Sequence, residues 1–109
     1  MVHVYLAGPI TLGGEGTNVH NAIVVYLDLR GKGYAVYCPH LDMLAHMVEP
    51  HDAEFWMKND LAWIERSDVV LRLPGKSVGA DQEVAFARGI GIGVFSSVDE
   101  LEGFYHASK

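Results

Sequence analysis

Apolar and polar positions follow two rhythms along this chain. Short unbroken apolar runs, each bounded by Gly, Pro or a polar turn, read as strands buried on both faces. They are Val2–Ala7, which stops at Gly8-Pro9; Tyr34–Tyr37, ended by Pro39; Asp68–Leu73, which turns at Pro74-Gly75; and Ile92–Phe95. Between them, apolar residues recur at helical spacing. Asn18 reads as the N-cap of a helix to Arg30, stopped by Gly31 and Gly33. Asp52 caps a second to Arg66, a third opens at Gly79 and runs to Arg88, and a last covers Ser97 to Tyr105. Ile10–Thr17 is a Gly-rich loop, and residues 39–51 form a long loop or broken helix rich in His and Met. Strands alternating with helices predict one α/β domain over residues 1–109, a doubly wound parallel sheet of four to five strands in three layers. Its crossovers are right-handed.

Composition narrows the classes. Formal net charge is -6 with no Lys/Arg cluster, which argues against a protein that tracks a nucleic-acid polymer. A small anionic ligand, needing only local donors, is not excluded. Cys38 is the only cysteine, so no intrachain disulfide forms and a reducing cytoplasm is expected. The N-terminus lacks a basic n-region, and no apolar run reaches membrane-spanning length.

Ligands of doubly wound sheets bind beyond the strand C-termini, where strand order switches. Three segments fall there: the loops after Ala7 and Tyr37, and the turn after Leu73. Leu73–Phe86, LPGKSVGADQEVAF, is the most informative. A strand, a small-residue turn and a helix N-terminus make an anion seat. Ser77 adds a hydroxyl there, and Glu83 sits in the first helical turns, where a carboxylate should stay ionised. Gly8, Gly13 and Gly14 serve as plain turn residues or approach a phosphate; they do not match a dinucleotide fingerprint. Tyr5 is a core aromatic or a phenol bonded to a catalytic carboxylate. Asp60 shares a face or its border with Trp56, Trp63 and Ile64, which is costly for an acid without a partner or a task. Asp68 reads as a cap or turn acid. His40, Asp42, His46 and His51 are spaced unlike a zinc site, so they read as a pocket-lining loop with no metal. Met43, Met47 and Trp56 suit stacking against a flat heterocycle.

Four pieces in order resemble the nucleoside 2-deoxyribosyltransferase superfamily, including its nucleoside 5′-monophosphate N-glycoside hydrolases and related small phage and bacterial domains. They are Tyr5-Leu-Ala-Gly-Pro9, Asn59-Asp60-Leu61 with Ile64, Ser67-Asp68-Val69-Val70, and Ser77-Val-Gly-Ala-Asp-Gln-Glu83 with Ala87. The resemblance spans Val4 to about Val94 and implies a flavodoxin-like fold. It implies that Glu83 is the nucleophile on the anomeric carbon, that Asp60 holds the sugar and assists proton transfer, and that Tyr5 orients Glu83. Ser77 stands where enzymes of free nucleosides commonly carry an acid and monophosphate hydrolases a serine. Gly8, Pro9, Ile10 and Gly13, with Ser77, Gly79, His40 and Trp56, complete the expected substrate contacts. The chain departs from the family pattern at Thr11–Thr17, which holds Glu15 and no basic residue, leaving backbone amides, hydroxyls and Lys76 for a phosphate. Family transferases often borrow far C-terminal residues from a neighbouring subunit; here Ser96 and Ser97 are possible substitutes.

The expected function is hydrolysis of the N-glycosidic bond of a nucleoside 5′-monophosphate, releasing base and sugar phosphate. Two carboxyl groups roughly 5 Å apart suit a covalent sugar–enzyme intermediate. The alternatives are a deoxyribosyltransferase on free nucleosides, a non-catalytic nucleotide sensor, and a phosphoribohydrolase, to which Pro74-Gly75 and Gly79-Ala80-x-x-Glu83 bear a partial likeness. No cofactor is expected. Phe55, Trp56, Trp63 and Ile64 on one helix predict a homodimer or higher oligomer packed through it.

Overall fold

Period-two burial along β1 (His3–Ala7) sets the layering. In the computed structural model, which describes residues 1–106, Val4 and Leu6 point into one cluster and Tyr5 and Ala7 into another. The chain continues through α1 (Glu15–Gly31), β2 (Ala35–Tyr37), a 3-10 turn (Pro39–Leu41), α2 (Asp42–Val48), α3 (Ala53–Glu65), β3 (Val69–Arg72), α4 (Val78–Gly89), β4 (Gly93–Phe95) and α5 (Val98–His106). The sheet is four-stranded and all parallel, in the order β2-β1-β3-β4. Ala22, Leu29 and Leu101 pack α1 and α5 on the Val4 face; Ile64, Ala80, Val84 and Ala87 pack α3 and α4 on the Tyr5 face. This is the expected three-layer, flavodoxin-like arrangement, at the lower of the two expected strand counts.

Strand order reverses at β1, since β2 lies on one side of it and β3 on the other. The adjacent C-termini of β1 and β3 therefore form the switch point. The two approach closely there. A Cβ on Gly8 would lie 2.9 Å from Leu73 Cβ, and one on Gly75, at φ 114°, would lie 2.8 Å from Pro9 Cγ. Only glycine satisfies both positions.

Two local expectations change and one is narrowed. Helix α1 starts at Glu15, not after Asn18, with Gly14 at φ 104° as its N-cap. Asn18 instead donates from Nδ2 to the Ile10 and Leu12 carbonyls, at 3.0 and 2.7 Å, and ties the loop after β1 to the helix. Of the two forms expected for residues 39–51, the broken helix is found over 39–48, because Pro39 at the first position of the 3-10 turn presets its φ. Helix α4 begins at Val78, one residue early, because Ser77 caps it: Ser77 Oγ accepts from Ala80 N at 3.0 Å. Asp52 caps α3 as expected, accepting from Phe55 N at 2.8 Å.

Candidate active site

Tyr5 reaches the switch point because it faces α4 from the central strand. Glu83 reaches it because it lies on the buried stripe of α4 with Ala80, Val84 and Ala87. Both are almost wholly buried, and the Tyr5 hydroxyl donates to Glu83 Oε2 in a short hydrogen bond. Asp60, on α3, comes within hydrogen-bonding reach of both. Tyr5 thus packs in the core and also bonds a carboxylate, and Asp60 has a polar partner in Asn59 among its apolar neighbours.

Burial decides the charge of this group. It pushes both carboxyls above the ordinary range; the Asp60 charge raises Glu83 further, while hydrogen bonding with Glu83 and Asn59 pulls Asp60 part of the way back. The Tyr5 phenol opposes the shift on Glu83 by donating to its ionised form. Burial and Glu83 together keep the phenol protonated. The expectation that Glu83 stays readily ionised near the start of α4 is therefore corrected: burial raises its pKa. The two acids hold one proton between them near neutral pH, and they titrate as a unit.

A cavity of about 520 Å³ opens over the pair. Gly8–Leu12 line it from β1, Pro39, Asp42, Met43 and His46 from the β2 side, and Ser77–Ala80 from α4. A family model described as a domain of unknown function, DUF4406, matches residues 2–96. The chain belongs to the DUF4406 family. The fold of this chain is also similar to that of a 2-deoxyribosyltransferase from Bacillus psychrosaccharolyticus, with a TM-score of 0.69 and 25% sequence identity over 85% of this chain and 69% of that one. No curated protein matches the chain. The superfamily resemblance read in the sequence thus holds for family and fold.

In the DUF4406 cavity, Gly8, Pro9, Ile10, Ser77, Gly79 and Trp56 line the wall beside Asp60 and Glu83. Gly13 does not; at φ 87° it only turns the loop that Asn18 anchors. His40 is not a wall residue either. It is buried, with Nε2 3.0 Å from the Pro9 carbonyl oxygen, and burial lowers its pKa, so the neutral ring donates to Pro9 and steadies the loop after β1. Ser77 spends its oxygen on capping α4 but keeps its O–H for a ligand. His40, His46 and His51 do not converge: among the described residues no three His, Cys, Asp or Glu side chains group as metal ligands.

The structure adds residues that periodicity did not single out. The Tyr37 ring stacks between Tyr5, at 5.6 Å, and Trp63, at 4.7 Å. Its hydroxyl donates to Asp42 Oδ2 at 2.6 Å and accepts from Asn59 Nδ2 at 3.1 Å. Asn59 Nδ2 also donates to Asp60 Oδ1 at 3.3 Å. A chain of hydrogen bonds thus runs from the loop after β2 to Asp60. Arg72 braces the turn after β3 by donating to the Leu73 and Gly75 carbonyls and pairing with Asp81 at 3.1 Å. The only signal for Tyr37 was its place at the end of a strand.

Proposed function

We propose that this domain breaks the N-glycosidic bond of a nucleoside through Glu83 and passes the deoxyribosyl group to a second base. The observation that carries the reading is the buried Tyr5–Glu83–Asp60 cluster under the switch-point cavity. In the form of the pair that leaves Glu83 ionised and the shared proton on Asp60, Glu83 attacks the anomeric carbon while the bond to the base breaks; the Tyr5 donor favours that form. The base leaves with the electron pair and takes a proton from Asp60. The second base then attacks the sugar ester, returns its N–H proton to Asp60 and frees Glu83. Two displacements retain configuration at the sugar. The likeness to a 2-deoxyribosyltransferase supports transfer over hydrolysis, as does a cavity wall with Asp42, Asp60 and Glu83 but no Lys or Arg.

A second reading, hydrolysis of a nucleoside 5′-monophosphate, is favoured by Ser77. It stands at the N-terminus of α4, where a phosphate would meet the Val78 and Gly79 amides, with the one acid of the first turn, Asp81, paired to Arg72. One experiment separates the two. Deoxynucleosides and their 5′-monophosphates are incubated with and without a second free base, and products are resolved by chromatography. Transfer predicts a new nucleoside only when the second base is present. Release of base from monophosphates alone, with no exchange, selects hydrolysis. No base released from any substrate rejects both.

A further inference from the structure

The wall that α2 contributes holds polar groups which the glycosidic reaction leaves unused. Asp42 and His46 both line the cavity and stand four residues apart, on one face of α2. Their hydrogen-bonding roles follow from their neighbours. The Tyr37 hydroxyl accepts from Asn59, so its own proton points to Asp42 Oδ2. Asp42 is thereby held by one oxygen, and Oδ1 has no partner among the described hydrogen bonds. His46 Nδ1 lies 2.9 Å from Trp56 Nε1 and 3.3 Å from the His51 backbone nitrogen. Both partners can only donate, so Nδ1 bears no proton and the hydrogen of the neutral ring sits on Nε2. The wall therefore offers one acceptor, Asp42 Oδ1, and one donor, His46 Nε2–H. Met43, Met57 and Trp56 supply apolar surface to the same cavity.

Topology puts this wall on the far side from the sugar end. Helix α2 follows β2 and α4 follows β3, with β1 between them. Two strand spacings put the ends of β2 and β3, from which the two walls rise, about 10 Å apart, a distance a nucleoside spans. Tyr5, on the central strand, holds Glu83 between the two walls. We infer that Asp42 and His46 read the edge of the nucleobase: Asp42 accepts from a base N–H, and His46 donates to the neighbouring ring nitrogen or carbonyl oxygen. The site then takes amino- or oxo-substituted bases and rejects one whose six-membered ring bears no N–H. This rests on the reading of the cavity as a nucleoside site, not on whether the sugar passes to a base or to water.

Calorimetry with 9-methyladenine, 9-methylhypoxanthine and 9-methylpurine tests it, because methylation leaves N–H donors only at the six-membered ring. The first two should bind the wild type about tenfold more tightly than 9-methylpurine, the worth of one hydrogen bond to a charged group. Asp42→Ala should shrink that gap to less than about threefold, and His46→Ala should weaken the two substituted bases most. Asp42→Ser repeats the test if the alanine variant does not fold. Equal binding of all three bases by the wild type, no binding of any, or uniform weakening by Asp42→Ala would overturn the inference. Base release from deoxynucleosides is followed in parallel. Selective binding without cleavage rejects the reaction but keeps the base-reading wall; cleavage without edge selectivity does the reverse.

Discussion

In the proposed reaction Glu83 carries the covalent chemistry. Glu83→Gln keeps the size of the side chain and an oxygen for the Tyr5 hydroxyl, so the fold should survive while base release falls on the order of 10⁴-fold or more. Activity within a few-fold of wild type, measured as free base or exchanged nucleoside, would remove Glu83 from the mechanism. Tyr5 works through Glu83 by donating to its ionised form. Tyr5→Phe removes that donor and pushes the Glu83 pKa higher still. The acid limb of the kcat/KM profile should then move to higher pH, and the maximum should fall about 10- to 100-fold, the worth of a hydrogen bond to a charged group. A pH profile that keeps its shape and drops uniformly would mean that Tyr5 only fills the core.

At the scale of elements, the N-terminus of α4 joins stability to specificity through one side chain. Ser77 caps the helix, so Ser77→Ala should cost about 1 kcal/mol. That is a fall of about 4–8 °C in Tm for a domain of this size. Ser77→Asp keeps a capping oxygen and should leave Tm near the wild-type value. It places a negative charge at the anion seat, so any turnover of 5′-monophosphates should fall relative to free nucleosides. An unchanged ratio of the two substrates in Ser77→Asp would place the 5′ end of the sugar elsewhere. Helix α3 shows how one element serves two ends. Ile64 is fully buried in the core and Asp60 faces the site, while Phe55 and Trp63 stay 44% and 48% exposed.

For the whole molecule, the buried acids set how stability varies with pH. Both carboxyls have raised pKa values in the fold, so the folded state binds protons more firmly than the unfolded chain. Their contribution is therefore most favourable below the ordinary carboxylate range, about pH 4, and is lost as pH rises through the raised values. Glu83→Gln removes the larger part of that loss. Its Tm relative to wild type should rise by several degrees, at about 4–8 °C per kcal/mol, between pH 4 and pH 9; a difference constant across that range would refute the assignment. The half-exposed Phe55 and Trp63 leave apolar surface on α3. Light scattering at micromolar concentration should give twice the chain mass if this face pairs two copies, and Trp63→Glu should return the monomer. A fully active wild-type monomer would show that the cavity is complete within one chain.

The sequence alone determined the element order and the sheet class, because apolar period and Gly or Pro punctuation are local properties. It also marked Tyr5, Asp60 and Glu83, since each sits in a recognisable short motif, and an acid such as Asp60 among tryptophans needs an explanation. The N-cap of α1 was misjudged by four residues and the start of α4 by one, because more than one small or polar residue could cap there and only backbone geometry chooses among them. Tertiary structure alone decided the rest. His40 turned inward to Pro9 and left the wall, while Tyr37, bonded to Asp42, met Asn59 across 22 positions of sequence. It also corrected the expected ionisation of Glu83. A helix N-terminus is visible in sequence, but the burial that raises the pKa depends on which side chains the fold packs around the carboxyl.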